Sequence, residues 1–572
     1  MNAERPVPLL AWPADVALAM PGSKSAANRL LLLAAVAGRP VHVHGATPSD
    51  DVRHLVAGLR TLGHGAGFVD EATGLVRVAP RAADAPSAGE LHCGNAGTAL
   101  RFLVSLAAIT PGEWTLTGDA AMQRRPIEPL VAAWRELGVD ARATNGCPPV
   151  HVRGGTALRG GRATLDARVS SQFVSSLLLV GARLPDGLEL SFVGDVASFA
   201  YARWTAALLT RCGVHVSLDE RGARVRPGID AIPSDLHVEG DWSSMGVWTC
   251  LQHLTGSRVH ATNLRAGSEQ ADEALATVLA SLPPHGPHTL DVRDLPDQFL
   301  NLAVTAAHRT GPTTLISGAN LRIKECDRIA VVVRELRRLG VDVDEHDDGI
   351  TVHGGRPLRA ASIDPAGDHR VAMAFALAGL RTPGVAIADP DCVTKSYPRF
   401  WADLARVVQS KRPLVVVGMR GAGKSTLARA LAAQTGSSCV DTDAAFVAAH
   451  GPIAPFVQAH GWPAFRAREQ ELVAAALQAN TIVATGGGAV TSAHTRSLLR
   501  DRAHVVWLDA PVDVLRARLA VDAAQRPSLT GAPVLDELAA VLAERTPLYA
   551  EVAHVRVDAT LPLAAQCAAV LR

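Results

Sequence analysis

Residues 414–425 read LVVVGMRGAGKS, and this stretch sets the architecture of the C-terminal part of the chain. The apolar run at 414–418 predicts a buried strand of a parallel sheet. GMRGAGKS at 418–425 fits the pattern G-x-x-x-x-G-K-[ST], and the TLARALAAQ that directly follows it predicts a helix. A glycine-rich loop between a strand and a helix N-terminus presents backbone N–H groups to phosphate oxygens. We therefore predict a phosphate-binding loop here, in preference to a glycine turn without a ligand.

The residue types of this loop match the needs of a bound nucleotide. Gly421 and Gly423 allow close backbone approach, Lys424 would reach the β- and γ-phosphates, and the Ser425 hydroxyl would bind Mg²⁺. The predicted nucleotide-binding residues of the loop are Gly421, Ala422, Gly423, Lys424, Ser425 and Thr426.

Alternating strand and helix patterns continue to the end of the chain and predict an α/β domain over 413–572 with a parallel sheet. Its polar strings are DTD at 441–443, FRARE at 465–469, GGG at 486–488, RPSL at 526–529 and RTPLY at 545–549. In this order they resemble the shikimate kinase family, a P-loop kinase family that uses ATP and Mg²⁺. The resemblance implies that shikimate is held by Asp443, Arg466, Gly487 and Arg545. It also makes Lys424 and Asp443 catalytic, gives the metal to Ser425 and Asp441, and places Arg526 in a lid over the nucleotide.

The chain before residue 409 repeats one phrase, an amphipathic helix followed by a glycine and a short apolar strand. Glycine is favoured just past a helix end because it tolerates the left-handed backbone conformation found there. The spacing of about 75 residues suits a βαβ unit with added strands rather than a solenoid. The phrase appears as LVAGLRTLGHG at 55–65, LVAAWRELGVDA at 130–141, WTAALLTRCGVHV at 204–216 and VVVRELRRLGVDV at 331–343.

A weaker match to this phrase ends at Gly286, and a final helix near 397–408 lacks its following strand. We expect the N-terminal segment to supply that strand and to complete a sixth unit. The sequence therefore predicts an α/β architecture of six units in two lobes over residues 1–408. A short linker at 409–412 would join it to the C-terminal domain.

Motifs able to bind anions are distributed along the whole of this N-terminal region. PGSKSAANR at 21–29 places Lys24, Ser25 and Arg29 at a loop and first helical turn, where backbone amides are free. The motifs of this region contain more cationic residues than one neutral substrate would need. Two acidic ligands, carrying phosphate and carboxylate between them, are therefore implied. The other motifs are GNAGTALR at 94–101, RRPI at 124–127, VSSQF at 169–173, LPDQF at 295–299, NLRIKECDR at 320–328, GDHR at 367–370 and TKSYP at 394–398.

Together these strings resemble the family of 5-enolpyruvylshikimate-3-phosphate (EPSP) synthases. The family has two inside-out α/β lobes, here about 21–237 and 1–20 plus 238–408, built from six βαβαββ-like units. The resemblance implies that shikimate 3-phosphate is held by Ser25, Arg29, Ser170, Ser171, Gln172, Ser198, Tyr201, Asp297, Asn320 and Lys324. It implies that phosphoenolpyruvate is held by Lys24, Gly97, Arg125, Gln172, Arg328, Arg370 and Lys395.

The chemistry of enolpyruvyl transfer requires proton movements but no cofactor and no metal. Asp297 is the candidate that takes the proton of the substrate 5-hydroxyl. Glu325, which is flanked by the cationic residues Lys324 and Arg328, is the candidate that moves the proton at the methylene carbon. Lys24 completes the predicted catalytic set.

Composition excludes several other classes of protein. The formal net charge of +1 suggests no nucleic acid as a partner. No apolar run is long enough to span a bilayer, Met1 to Met20 does not resemble a signal peptide, and the eight cysteines form no C-x-x-C pair. We therefore expect a cytoplasmic protein with small-molecule substrates and no membrane partner, and the sequence leaves its oligomeric state open.

Two alternatives compete with a bifunctional enzyme of this pathway. The cell-wall enolpyruvyl transferases that act on a nucleotide sugar share the fold but lack the Ser-Ser-Gln string present here at 170–172. An active kinase fused to a non-catalytic transferase-like binding module would have no need of Asp297, Glu325 and Lys24. The sequence therefore favours a shikimate kinase activity and an enolpyruvyl transferase activity in one chain, both in aromatic amino-acid (chorismate) biosynthesis.

Overall fold

The computed structural model describes residues 4–155, 158–520, 533 and 535–571. The chain divides into two units, which we call the N-terminal and C-terminal units. The N-terminal unit contains residues 1–9, 17–254 and 261–403. The C-terminal unit contains residues 10–16, 255–260 and 404–572, so it includes two short segments from the first half of the sequence. None of the described helices has the length and apolar character needed to cross a membrane.

Four mixed four-stranded sheets with one common topology build most of the N-terminal unit. In each sheet the first and second strands are parallel, and the third and fourth are each antiparallel to their neighbour. The predicted repeat is therefore confirmed as a repeated structural unit. In sheet order the strands are Asp235–His237, Val41–His44, Leu75–Arg81 and His64–Asp70; Ala88–His92, Gly112–Thr117, Cys147–Gly154 and Asp140–Thr144; Gly161–Asp166, Leu188–Val193, Gly222–Val225 and Val216–Leu218; and His288–Asp291, Gly311–Ile316, Gly349–Gly354 and Asp342–His346.

Two further sheets consist of short strands. Arg5–Pro6 pairs antiparallel with Ala386–Ile387, which pairs parallel with Ser362–Ile363. The N-terminal segment thus supplies a strand next to the last repeat, as the sequence predicted. Asp15–Leu18 and Arg258–Ala261 form a two-stranded sheet.

Each repeated glycine has the left-handed conformation, which other residues rarely adopt. Four of them lie two residues past the end of a helix, whereas Gly286 lies five residues past Ser281, where its helix ends. The φ angles are 89° at Gly63, 92° at Gly138, 81° at Gly213, 86° at Gly286 and 85° at Gly340. The helices of this part of the chain are Lys24–Val36, Asp50–Thr61, Gly97–Ile109, Glu128–Glu136, Ser171–Gly181, Phe199–Arg211, Trp242–Thr255, Leu275–Ser281, Phe299–Ala307, Arg328–Arg338, His369–Gly379 and Phe400–Gln409.

A five-stranded parallel sheet forms the centre of the C-terminal unit. The strands, in sheet order, are Ser438–Asp441, Thr481–Ala484, Leu414–Val417, His504–Asp509 and Val555–Asp558. The apolar run at 414–417 is fully buried at its centre, as expected for a strand covered on both faces. The helices around it are Lys424–Thr435, Thr442–His450, Ile453–Ala476 with a kink at Gly461, Ala493–Arg502, Val512–Leu519, Leu538–Val552 and Leu563–Val570.

Trp12 is an unexpected member of the core of the C-terminal unit. It is only 3% exposed, and it packs in the same apolar cluster as the central strand Leu414–Val417. Its indole Nε1 donates to the Arg412 carbonyl at 2.8 Å, and the Lys411 ammonium lies 4.7 Å from its ring centroid. The Arg412 N–H in turn donates to the Pro13 carbonyl at 2.9 Å. The predicted linker residues therefore form ordered hydrogen bonds with a segment 400 residues earlier.

Replacing Trp12 with alanine is expected to destabilise the C-terminal unit. Removing a buried tryptophan side chain from a packed core costs about 3–5 kcal/mol. Thermal unfolding, followed with the kinase activity as a readout of this unit, measures the loss. Leu563→Ala is the matched control, because Leu563 is a large apolar residue of the same unit that is 39% exposed. Equal melting temperatures for Trp12→Ala and the control would contradict this assignment of Trp12 to the core.

Candidate active sites

A single cavity of the N-terminal unit collects the residues that the anion-binding motifs predicted. Six cationic side chains and three carboxylates line it, so its net charge favours anionic ligands. All ten residues predicted for shikimate 3-phosphate lie on its wall, with six of the seven predicted for phosphoenolpyruvate. The lining residues are Lys24, Ser25, Arg29, Asp51, Gly97, Thr98, Arg125, Ser170, Ser171, Gln172, Ser198, Tyr201, Pro296, Asp297, Asn320, Lys324, Glu325, Arg328 and Arg370.

Asp297 is surrounded by cations on both of its oxygens. Arg328 donates to its Oδ1 at 3.1 Å, and Arg370 donates to its Oδ2 at 2.9 Å. Burial by itself would raise the pKa of this carboxyl, but Arg370 and Arg328 outweigh burial and lower the pKa of Asp297 below its usual range. The Tyr201 hydroxyl also donates to Oδ2, at 3.0 Å. Asp297 is therefore a partly buried, ionised acceptor that faces the cavity.

Glu325 is held in the same way by a different pair of cations. The Lys395 ammonium lies 3.1 Å from Oε1, and Arg328 donates to Oε2 at 3.1 Å. Burial opposes ionisation, but Lys395 and Arg328 hold the pKa of Glu325 well below its usual range. Lys395 does not line the cavity itself; it reaches the site through Glu325 and donates to the Asn95 carbonyl at 2.8 Å.

The two lysines of the cavity have different environments. Lys24 lies 3.0 Å from Asp51, and this carboxylate with Glu325 outweighs burial and raises the pKa of Lys24. Burial lowers the pKa of Lys324 to about 8, and the attraction of Asp297 offsets only part of that shift. Lys24 therefore remains a cation at neutral pH, whereas Lys324 lies closer to its titration.

Helix N-termini form the neutral part of the wall. The Ser170 hydroxyl accepts from the Gln172 N–H at 3.2 Å and caps the helix Ser171–Gly181. The Gln172 side chain is fixed by Arg101, which donates to its oxygen, and by Thr98, which accepts from its nitrogen at 3.1 Å. Gln172 is thereby presented with a defined orientation.

Gly97 begins the helix Gly97–Ile109, and it has no room for a side chain. A Cβ built at this position would lie 2.5 Å from the Arg125 guanidinium. Arg125 is buried, and its Nε has no hydrogen-bond partner among the described residues. The glycine therefore allows Arg125 to lie against the start of the helix, where both groups favour an anion.

The Arg29 side chain forms more contacts within the protein than the sequence suggested. It is 2% exposed, donates to Thr205 Oγ1 at 2.8 Å and to the Ser25 carbonyl at 2.8 Å, and lies 4.8 Å from the Trp204 ring centroid.

Ser198 has a left-handed backbone, with φ of 52°, and accepts from Asn320 Nδ2 at 3.0 Å. Strained residues of this kind concentrate at functional sites.

Three site residues were absent from the sequence prediction. Asp51 pairs with Lys24, Thr98 holds Gln172, and Asp368 accepts from Arg328 Nε at 2.8 Å. Asp368 lies inside the GDHR string that supplied Arg370, so its place beside a predicted residue was the available signal. Thr98 likewise lies inside the GNAGTALR string that supplied Gly97. Asp51 lies in none of the quoted strings and carried no signal beyond its place at a helix start.

The loop 418–425 of the C-terminal unit has the geometry of an anion site. Gly421 and Gly423 have φ of 80° and 103°, and Gly423 directly precedes the helix Lys424–Thr435. Lys424 is buried and donates to the Met419 carbonyl at 2.9 Å. The Ser425 hydroxyl donates to Asp441, whose other oxygen caps the helix Thr442–His450 by accepting from the Asp443 N–H at 3.0 Å.

The glycines at 486–488 allow neighbouring groups to lie close to the backbone, and none of them has a left-handed conformation. A Cβ at Gly488 would lie 2.0 Å from Arg466, and a Cβ at Gly486 would lie 2.3 Å from Glu469. Arg545 donates to the Gly487 carbonyl at 3.1 Å. The predicted residues Arg466, Gly487 and Arg545 are therefore brought together.

Glu469 and Tyr549 are the residues of this site that the sequence prediction missed. Glu469 is 4% exposed and pairs with Arg466, and burial raises the pKa of its carboxyl. The Tyr549 hydroxyl donates to the Gly487 carbonyl at 2.5 Å. Both lie within quoted strings, FRARE and RTPLY. The remaining prediction, Arg526, lies outside the described residues.

Comparison with known proteins matches each part of the chain to a known family. The sequence profile of EPSP synthase (3-phosphoshikimate 1-carboxyvinyltransferase) matches residues 13–404, and that of shikimate kinase matches residues 420–571. A 3-phosphoshikimate 1-carboxyvinyltransferase of Rhizobium etli is 38% identical over 394 residues, which are 67% of this chain and 92% of the relative.

A fungal relative matches across both units. The pentafunctional AROM polypeptide of Malassezia globosa is 34% identical over 93% of this chain, which spans 38% of that protein. Among solved structures, EPSP synthase of Acinetobacter baumannii covers 71% of this chain with a TM-score of 0.58 and 24% identity, a likeness of fold. The chain belongs to the EPSP synthase family and carries a shikimate kinase domain at its C-terminal end.

Proposed function

We propose that this chain catalyses two successive steps of chorismate biosynthesis. The C-terminal unit transfers phosphate from ATP to shikimate, and the N-terminal unit transfers the enolpyruvyl group of phosphoenolpyruvate to shikimate 3-phosphate, releasing phosphate. The observation that carries this proposal is the single cavity in which all the predicted shikimate 3-phosphate residues meet the cations expected for phosphoenolpyruvate.

In the transferase site, two polyanionic substrates must be held together against their repulsion. Arg125, Arg370 and Lys24 would hold phosphoenolpyruvate, and the helix start at Ser170 to Gln172 would hold the phosphate of shikimate 3-phosphate. Orienting both reactants in one site lowers the entropic part of the barrier.

Asp297 is an ionised carboxylate on the cavity wall, so it is placed to take the hydroxyl proton. As the substrate 5-hydroxyl oxygen bonds to the central carbon of phosphoenolpyruvate, its proton passes to Asp297, and the methylene carbon gains a proton to become a methyl group. The tetrahedral adduct then loses phosphate, which leaves with the proton held on Asp297, and the methyl group returns a proton to the acid that supplied it.

Glu325 is the acid in this scheme. Lys395 and Arg328 keep it ionised without ligands. Bound phosphoenolpyruvate would place negative charge beside Glu325 and engage the same cations, and both effects favour its protonated form. The site thereby loads Glu325 with a proton only when the substrate that accepts the proton is present.

In the kinase site, Lys424 and the loop amides would hold the nucleotide phosphates. Shikimate would be held by Asp443 through its hydroxyls and by Arg466 and Arg545 through its carboxylate. The adjacent oxygens of Ser425 and Asp441 are the hard donors that Mg²⁺ prefers, so the residues present fit this metal. When bound, Mg²⁺ neutralises charge that develops on the phosphates.

We also place the protein in the reducing cytoplasm, since its eight cysteines are free thiols.

A coupled assay tests the proposal. Purified protein with shikimate, ATP, Mg²⁺ and phosphoenolpyruvate is expected to consume all the organic substrates and to release inorganic phosphate with 5-enolpyruvylshikimate 3-phosphate. Accumulation of shikimate 3-phosphate without consumption of phosphoenolpyruvate would instead identify the N-terminal unit as a non-catalytic binding module.

Gly97→Ala is expected to raise the KM for phosphoenolpyruvate. The added methyl group would overlap the Arg125 guanidinium and displace it from the start of the helix. Losing one hydrogen bond to a charged group corresponds to about tenfold or more in affinity. Steady-state kinetics measures this, with the KM for shikimate 3-phosphate as the internal control. A similar rise in both KM values would indicate general disruption instead.

A further inference from the structure

A third carboxylate lies behind the catalytic pair of the transferase site. Asp272 is in the short 3-10 helix Ala271–Ala274, is 5% exposed, and does not line the cavity. Tyr201 connects it to Asp297, because the tyrosine oxygen lies 3.0 Å from Asp297 Oδ2 and 3.4 Å from Asp272 Oδ2. A tyrosine hydroxyl has one hydrogen, so it can donate to only one of these carboxylates at a time.

The two carboxylates differ in their counter-ions. Asp297 has two arginine partners, whereas Asp272 forms no ion pair within the described parts of the chain. Its Oδ1 accepts instead from the neutral Gln298 amide at 2.9 Å, and that amide is fixed by Asn301, which donates to its oxygen at 2.8 Å. Asp272 is therefore held in place by neutral groups.

The charged and titratable groups around Asp272 come from several elements. They are Asp297, Tyr201, Arg370 and Asp241. Burial, with the negative charge of Asp297, raises the pKa of Asp272 to about 7, and Arg370 offsets only part of this. Two neighbouring carboxylates are thereby separated in proton affinity, the arrangement that assigns different roles to paired acids.

We propose that Asp272 is a positioning residue that controls, through Tyr201, how strongly Asp297 attracts the proton of the substrate hydroxyl. When Asp272 is protonated, its O–H donates to the tyrosine oxygen and Tyr201 donates to Asp297. When Asp272 is ionised, it competes for the tyrosine hydrogen and leaves an Asp297 lone pair open to the substrate.

The sign of the pH dependence follows from this assignment. In the free enzyme Asp272 is protonated below about pH 7 and ionised above it, so the transferase kcat/KM, which reports ionisations of the free enzyme, should contain a limb that rises through about pH 7. The proposal rests on the proposed role of Asp297 as the acceptor of the hydroxyl proton.

The test uses the full chain supplied with shikimate 3-phosphate and phosphoenolpyruvate. Asp272→Asn fixes the neutral form, because its amide can donate to the tyrosine oxygen at every pH. We expect kcat at pH 8 to fall by about tenfold, the limb near pH 7 to disappear, and both KM values to stay within about twofold, as expected for a change felt mainly in the transition state. Retention of the limb in Asp272→Asn, or absence of the limb from the wild type, would overturn the proposal.

Tyr201→Phe provides the second measurement. If Asp272 acts through the tyrosine hydroxyl, the double variant with Asp272→Asn should have the kcat of Tyr201→Phe alone, since the connecting hydrogen has been removed. Additive losses would mean that Asp272 acts by another route and would sink the proposal. An inactive wild type would contradict the proposed function itself, whereas an active wild type with an unchanged Asp272→Asn profile contradicts only this inference.

Discussion

Asp297→Asn is expected to lower the kcat of the transferase by on the order of 10²–10⁴-fold, the usual contribution of a positioned general base. The amide keeps the size of the side chain but cannot take the substrate proton. It also removes the negative charge that Arg328 and Arg370 both contact. Steady-state assays with shikimate 3-phosphate and phosphoenolpyruvate measure the loss.

The exposed Asp294, three residues earlier, provides the matched control. Asp294→Asn makes the same chemical change outside the cavity and should leave kcat unchanged. Kinase activity of the Asp297→Asn variant should also be retained, because Asp297 belongs to the N-terminal unit. A kcat within tenfold of the wild type would remove Asp297 from the role of base and transfer that role to another group.

Lys424→Ala is expected to lower ATP-dependent phosphorylation of shikimate by on the order of 10²–10³-fold, comparable to the loss of one group that stabilises transition-state charge. Lys424 is held at the helix start by the Met419 carbonyl, directly beside the loop amides. Its removal deletes the only lysine of this loop while the backbone cradle remains. Single-turnover phosphorylation with purified protein measures the effect.

Arg429→Ala is the matched control, because Arg429 is an exposed cation on the same helix. It should leave phosphorylation unchanged. Transfer onto supplied shikimate 3-phosphate should stay near wild type in Lys424→Ala, since the transferase cavity is built from the other unit. A folded Lys424→Ala protein that loses transferase activity would show that the two sites are not independent.

Local chemistry explains why so much of the fold could be predicted from the sequence. A buried parallel strand must be continuously apolar, as at 414–417, and a helix that ends in a left-handed turn strongly favours glycine, as at Gly63 and Gly340. The repeat of that phrase gave the units, and the loop 418–425 gave the C-terminal sheet and helix. Both signals depend on residues adjacent in sequence.

The candidate cavity was predictable for a different reason. Its cations and helix starts lie in short strings that keep their order, so the resemblance could place each residue separately. What the strings did not contain was the set of partners that gives each residue its protonation state. Lys24 is held charged by Asp51, and Glu325 by Lys395, pairs that are 27 and 70 residues apart.

Local sequence patterns identified the family, the division into two domains and the residues that line the candidate cavity. The protonation states of the carboxylates and the core that a segment joins depend on contacts that form only in the folded chain. Asp272 and Asp297 are both aspartates near a helix start, yet only Asp297 meets two arginines. Trp12 lies in the first part of the chain but packs in the C-terminal core. Burial and charge pairing act through space, so no local pattern records them.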